Sequence, residues 1–480
     1  MKILHICAEF FPLLKTGGLA DVMGALPAAQ IKAGADVRLL IPAYPALQEE
    51  FSYTTHVVNL NTFAGFVTLR YGTYNNVGIY LIDAPHLYQR TGGPYQDAHK
   101  QDHEDNYLRF AILGWIASEI SCGIDDNWQP DILHAHDWHA GLACAYLIAR
   151  GRPIPSVFTI HNLAYRGSFP SALFHKIGLA NSFFSINGLE FYGEMSYLKA
   201  GVYYADQVTT VSPTYAKEIT YSEYGYGLEG LLKTRYEQGC LHGILNGIDT
   251  TVWNPKNDKI LSYPYDTKNI QTKLRNKAKL QANLSLTVDN KKLIFGIISR
   301  LTEQKGLDLV LAILPALIHR GGQFVLLGNG DPQLENCFKE ISKLYPHSIS
   351  VNICYNESLS HQIIAGADII MVPSRFEPCG LTQLYGLAYG TLPLVRHTGG
   401  LADTVIDCTS KNLTKRIATG FTFDMATSDA LYSTVQRAFT LWEKANIWEQ
   451  VQHNAMTQDF GWHISANAYL SIYQQLLSSD

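Results

Sequence analysis

Residues 2–8 (KILHICA) form a short apolar, strand-like run that ends in a polar loop containing Lys15, Thr16, Gly17 and Gly18. Beyond the loop, Leu19, Val22, Met23 and Leu26 fall at the i, i+3, i+4, i+7 spacing of a helix face, Ala33 extends that stripe, and Gly34 stops it. DVRLLIP (36–42) then reads as a second strand, which completes one βαβ unit. The same layout returns at KLIFGII (292–298), a polar loop over 300–306, a helical stripe at Leu307, Val310, Leu311, Leu314 and Ile318, and a strand QFVLLG (323–328). Pro315 is expected to kink that second helix. Two βαβ starts this far apart predict an α/β chain with two doubly wound domains rather than one large sheet. The length agrees, since 480 residues exceed what one hydrophobic core holds.

DILHAH (131–136), SVFTIH (156–161), QVTTVS (207–212) and DIIMVPS (368–374) are further buried-strand candidates, each an apolar run ending in polar residues. In open parallel sheets ligands gather at the carboxyl ends of the strands, so those polar ends are where chemistry is sought. Turn signals in LHGILNGIDTTVWNP place a linker at 241–255, between a domain over 1–240 and one over 256–460. Tyr469, Ile472, Tyr473 and Leu476 sit at helical spacing in the last segment, 461–480, expected to dock back on the first domain.

Lys plus Arg number 37 against 42 Asp plus Glu, a net charge of −5, so no global basic field is available for nucleic acid or an anionic membrane. No apolar stretch reaches the roughly 18 residues of a membrane span. Glu9 and Lys15 break the first apolar run, which argues for a strand rather than a signal peptide. The eight Cys are scattered without a CxxC pair, so neither a disulfide framework nor a structural zinc site is expected, and a cytoplasmic location fits.

Four segments could carry chemistry. Lys15-Thr-Gly-Gly18 lacks P-loop order, but its glycines and the following helix start could hold phosphate; the competing reading is a surface turn. Arg300 and Lys305 follow a strand and precede a helix, which suits neutralising a diphosphate leaving group. Glu377 lies just before Gly380, Leu381 and Thr382, whose amides open another helix. An anion beside a diphosphate would be repelled, so Glu377 is expected to face a sugar rather than the phosphates. HAHDWH (134–139) invites a metal reading, but its spacing is not HExxH, and polar residues at the mouth of a sheet are the stronger reading. Thr16-Gly-Gly-Leu-Ala-Asp is echoed at Thr398-Gly-Gly-Leu-Ala-Asp. The echo means either two similar loop-to-helix turns or two glycine pairs that let backbone approach one ligand.

Taken together, KTGGLADV (15–22), HAHDWHAG (134–141), SRLTEQKG (299–306), RFEPCGLTQ (375–383) and VRHTGGLADTV (395–405) closely resemble the signature blocks of the bacterial glycogen synthase and plant starch synthase family, in the family's order along nearly the whole chain. The resemblance implies a glycosyltransferase-B fold, two Rossmann-like domains facing across a deep cleft. It implies transfer of glucose from ADP-glucose to the non-reducing end of an α-1,4-glucan such as glycogen, with retention at the anomeric carbon and no metal or other cofactor. By matching position it places Lys15, Gly17 and Gly18 at the donor phosphates and Arg300 and Lys305 at the diphosphate, joined by Gly380, Leu381 and Thr382. His161 would lie beside the donor glucose and Glu377 on its hydroxyls. Asp21 and Asn246 would lie near the donor, Tyr355 would stack on adenine, and Glu9, Tyr95, Asp137 and Asn162 would line the acceptor side. Many retaining relatives carry a second glutamate eight positions after the first; here Tyr385 stands there, which speaks against a small-acceptor enzyme. Of the competing classes, a nucleotide-cofactor oxidoreductase lacks its full glycine fingerprint. A noncatalytic glucan-binding protein would leave the Lys15, Arg300 and Lys305 cations unexplained. A glucan phosphorylase would need a pyridoxal-phosphate lysine site that the sequence does not reveal.

Overall fold

The computed structural model describes residues 1–478. The chain divides into two compact units: the first comprises Met1–Gly247 with the stretch from Trp462 onward, the second Ile248–Gly461.

The first unit is built on a nine-stranded sheet. Its strands are β1 (Lys2–Ile6), β2 (Asp36–Pro42), β3 (Thr55–Thr62), β4 (Gly65–Tyr74), β5 (Val77–Asp83), β6 (Ile132–His136) and β7 (Ser156–Ile160). A separate small sheet holds β8 (Ser168–Pro170), β9 (Glu190–Phe191) and β10 (Glu194–Ser196), after which β11 (Gln207–Thr210) and β12 (Leu241–Gly243) return to the large one. The large-sheet order is β12-β11-β7-β6-β1-β2-β5-β4-β3, parallel from β12 to β5. The pairs β5–β4 and β4–β3 are antiparallel, a meander the sequence reading did not anticipate. Residues 241–243 are thus a strand of the first sheet and not part of a linker: β12 pairs with β11 from Val208–Leu241 to Thr210–Gly243. The chain leaves β1 toward β2 and β5, then returns to β6 on the other side. The crevice at the carboxyl ends of β1 and β6 is therefore the topological switch point where such sheets bind ligands. The helix Trp462–Ser478 packs on the helix Gly18–Lys32, with Tyr469 and Tyr473 fully buried.

The second unit has a six-stranded, wholly parallel sheet of β13 (Ile294–Ile298), β14 (Gln323–Leu327), β15 (Ile349–Asn352), β16 (Ile369–Val372), β17 (Leu392–Arg396) and β18 (Phe421–Phe423). Its order, β15-β14-β13-β16-β17-β18, puts the switch point between β13 and β16. The helix Leu307–His319 continues through Pro315. No helix among the described residues is long and apolar enough to cross a membrane.

Candidate active site

At the switch point of the second unit, the loop after β13 and the loop after β16 are zipped together. Arg375 N–H donates to the Gln304 carbonyl at 2.8 Å, and the Arg375 guanidinium grips both oxygens of Asp308 at 2.7 Å. Gly306 makes this approach feasible: its φ is +66°, and a Cβ there would lie 2.1 Å from the Pro373 carbonyl oxygen. Lys305 is thereby carried to Glu377. Its Nζ donates to Glu377 Oε2 at 2.6 Å, and Ser374 Oγ donates to the same oxygen at 2.8 Å. Glu377 is 7% exposed. The adjacency of β13 and β16 puts this carboxylate on Lys305, which neutralises its charge.

Arg300, in the same loop after β13, is exposed, and its guanidinium makes no hydrogen bond among the described residues. Gly380 has φ +72°, and Leu381 and Thr382 follow at the start of a short helix, Thr382–Ala388. Tyr355 lies beyond β15, at the sheet edge, 71% exposed, with its hydroxyl donating to Glu357 at 2.9 Å. Tyr385 stacks on Trp253, ring centroids 3.7 Å apart.

The first unit gathers its polar groups at the ends of β1, β6 and β7. Buried Glu9 accepts the backbone N–H of Thr16 (2.6 Å) and of Gly17 (2.9 Å) on Oε2, and the Tyr95 hydroxyl (2.6 Å) on Oε1. Lys15 and Asp21 form an ion pair at 2.8 Å. A Cβ on Gly17 or Gly18 would meet nothing within 4 Å, and neither has positive φ, so neither packing nor conformation within the unit calls for glycine there. The echo at 399–400 is different. A Cβ on Gly399 would lie 2.0 Å from the Glu377 carbonyl oxygen and one on Gly400 2.2 Å from that of Cys379. The second pair therefore buttresses the backbone of the Glu377 loop, while the first leaves open space before a helix start.

Asp137, in the left-handed region at φ +58°, accepts the N–H of His161 at 2.9 Å and of Asn162 at 3.4 Å. Burial raises the Asp137 carboxyl to about 7, against the pull of those backbone donors. Asn246, 7% exposed beyond β12, keeps a buried Oδ1 with no hydrogen-bond partner among the described residues, the kind of orphaned acceptor a ligand would satisfy.

His5, His134 and His136 converge closely enough to suggest a metal cluster. Yet every ring nitrogen of the three has another partner. His5 bonds His136 (2.8 Å) and Gln30 (2.7 Å), His134 bonds the Tyr473 hydroxyl and Thr159 (both 2.6 Å), and His136 bonds His161 (3.0 Å). A metal would have to break this network, so EDTA is expected to leave the rate unchanged. Activity lost in EDTA and restored by a divalent ion would contradict that expectation. Sequence reading missed His5 and Gln30; the signal available was a histidine inside an otherwise apolar strand, and β1–β6 register sets His5 directly opposite His134.

Residues 2–234 match the family model described as the starch synthase catalytic domain, and residues 282–453 that of glycosyl transferases group 1. The chain is 58% identical to a glycogen synthase of Yersinia enterocolitica over 99% of this chain and 100% of that one, and 57% identical to one of Yersinia pestis over the same shares. The chain belongs to the glycogen synthase family. Among solved structures, the catalytic domain of starch synthase IV from Arabidopsis thaliana, bound to ADP and acarbose, superposes with a TM-score of 0.87 at 30% identity, covering 99% of each chain. A sucrose-phosphate synthase from Thermosynechococcus elongatus shares the fold at TM-score 0.60 and 16% identity, over all of both chains. The two parallel-sheet units are thus those of the glycosyltransferase-B fold of this family of glucosyltransferases.

Burial gives this family member a pH-dependent stability. It lowers His5 from 6.5 to about 4 and depresses His134, His136, His139 and His161 as well. Below about pH 6.5 the unfolded chain takes up protons that these five folded residues refuse, so their stabilisation is present above that pH and lost as pH falls. Asp137 and Glu119, whose folded values are raised by burial, work in the opposite sense, two carboxyls against these five histidines. The urea midpoint of the first unit is expected to drop between pH 7 and pH 5; an unchanged midpoint would contradict the assignment.

Proposed function

We propose that the chain elongates α-1,4-glucan such as glycogen by transferring glucose from ADP-glucose to the non-reducing end, with retention, releasing ADP. The observation that carries this reading is the Lys305–Glu377 pair at the switch point of the second unit, in a chain of this family. A retaining transfer without a metal needs fixed cations for the leaving diphosphate and a carboxylate for the sugar, and that site offers both. The Arabidopsis relative bound to ADP and acarbose supports a nucleotide-linked donor and a glucan acceptor.

In this reading the bond from the anomeric carbon to the diphosphate breaks first, with its electron pair going to the phosphate oxygen. Arg300 and Lys305 stabilise that oxygen, assisted by the amides at 380–382 and the Thr382 hydroxyl. Glu377 holds the glucose hydroxyls and supports positive charge at the anomeric carbon. The acceptor hydroxyl attacks from the same face and gives its proton to the departing diphosphate. We favour this front-face course because Glu377 is already committed through Oε2 to Lys305 and Ser374. Within the first unit, Lys15 with the Gly17–Gly18 backbone serves donor phosphate, Asp21 and Asn246 lie near the donor, and His161 contacts its glucose. Glu9, Tyr95, Asp137 and Asn162 serve the acceptor, while Tyr355 in the second unit stacks on adenine. We assign no nucleic-acid or membrane partner. The eight Cys, all unpaired, fit the cytoplasm.

Rates with ADP-glucose and UDP-glucose at equal concentration, glycogen as acceptor, test the donor assignment. ADP-glucose is expected to be the better substrate; equal or faster turnover of UDP-glucose would overturn it.

A further inference from the structure

His161 is the last member of a buried row of hydrogen bonds that crosses the first unit from β7 to the C-terminal helix. Its Nε2 meets His136 Nδ1 at 3.0 Å, His136 Nε2 meets His5 Nδ1 at 2.8 Å, and His5 Nε2 meets Gln30 Oε1 at 2.7 Å. The Gln30 amide nitrogen donates in turn to the Tyr473 hydroxyl at 3.3 Å, which lies 2.6 Å from His134 Nδ1. His5, Gln30, His136 and Tyr473 are all fully buried. The helix Trp462–Ser478, which touches no substrate in the proposed function, thus reaches a residue that does, through Tyr473 and then Gln30 of the helix Gly18–Lys32.

Hydrogen-bond polarity runs one way along this row. A carbonyl oxygen only accepts, so Gln30 Oε1 requires a proton on His5 Nε2. A neutral His5 then has a bare Nδ1, which accepts a hydrogen bond from His136 Nε2–H. His136 Nδ1 is bare in the same way and accepts from His161 Nε2–H. The remaining nitrogen of His161, Nδ1, has no partner among the described residues. Burial disfavours the imidazolium form at each member, which keeps one proton per ring and the polarity intact.

We propose that Gln30, acting through His5 and His136, is a positioning residue that fixes His161 in the Nε2–H tautomer and presents its bare Nδ1 as a hydrogen-bond acceptor for a hydroxyl of the donor sugar. The sugar contact rests on the role given to His161 above; the tautomer does not. A ring able to donate from Nδ1 would offer that hydroxyl the wrong partner, and a ring free to flip would offer either. Tyr473 orders the row from its far end by accepting from the Gln30 amide, which turns the carbonyl toward His5.

Long-range proton–nitrogen spectra of [15N]histidine-labelled protein, with the His161 signals assigned from His161→Gln, read the tautomer directly. His161 is expected to show a protonated Nε2 and a bare Nδ1; a protonated Nδ1 in the wild-type protein overturns the proposal whatever the kinetics show. Gln30→Leu keeps the buried volume and removes the acceptor. It is expected to mix the two tautomers and to lower kcat roughly five- to tenfold, the worth of one neutral hydrogen bond, with a smaller change in KM. In a His161→Ala background the same substitution is expected to leave kcat unaltered, because Gln30 acts only through that ring. An equal kcat loss in both backgrounds would make Gln30 merely structural and overturn the proposal. Full activity of His161→Ala would instead remove the sugar contact, while the spectrum still decides the tautomer.

Discussion

Lys305→Ala is expected to lower turnover by roughly two to three orders of magnitude, the usual effect of removing one donor to a developing oxyanion, about 2.7–4 kcal/mol. The loss is expected in kcat and in ADP affinity together, because the ammonium meets diphosphate both in the bound donor and in the product. The geometry adds a second consequence. Glu377, 7% exposed, would keep only Ser374 as a partner, so part of the cost would be a largely buried carboxylate stripped of its cation. A melting curve separates this from the chemistry: the variant should remain folded at assay temperature with a lowered midpoint. Near-wild-type turnover in folded protein would remove Lys305 from the diphosphate site.

Glu377→Gln is expected to act differently. Glutamine keeps an acceptor for Lys305 and Ser374, so the loop should stand and ADP should bind much as before. What is lost is the negative charge that supports an oxocarbenium-like anomeric carbon, and that matters more in the transition state than in the ground state. The expectation is a kcat lowered far more than KM for ADP-glucose is raised. A rival role for Glu377, holding Lys305 in place and nothing else, predicts weakened ADP binding and a lower melting midpoint in the same variant. Steady-state kinetics, ADP titration and melting on the single and double variants decide between the two. Because the side chains touch at 2.6 Å, the double variant should cost much less than the two losses added together.

These expectations draw unequally on sequence and on fold. The strands that position the site were legible because β1, β6, β13 and β16 are short apolar runs ending in polar residues, and parallel sheets put those ends together. The meander of β3 and β4 was not, since 55–74 mixes polar and apolar residues and half its faces are solvated. Chemistry between residues distant in sequence was the least legible. Nothing in SRLTEQKG or RFEPCG says that Lys305 and Glu377 touch; that follows from β13 lying beside β16. Likewise the histidines of HAHDWH invited a metal reading because the sequence does not show that His5 and Tyr473 are there to hydrogen-bond His136 and His134. The repeated Thr-Gly-Gly-Leu-Ala-Asp shows the same limit: one glycine pair is dictated by the backbone of the Glu377 loop, the other faces open space, and the letters are identical.

The central claim is that this chain adds glucose to the ends of an α-1,4-glucan. It is tested most directly by incubating the purified protein with ADP-[14C]glucose and glycogen, precipitating the polymer, and digesting it with β-amylase. The account predicts label in the precipitate, ADP released in equal amount, and radioactive maltose from the digest, since β-amylase cuts α-1,4 links from non-reducing ends. Polymer without label, or label that β-amylase cannot release, would contradict it.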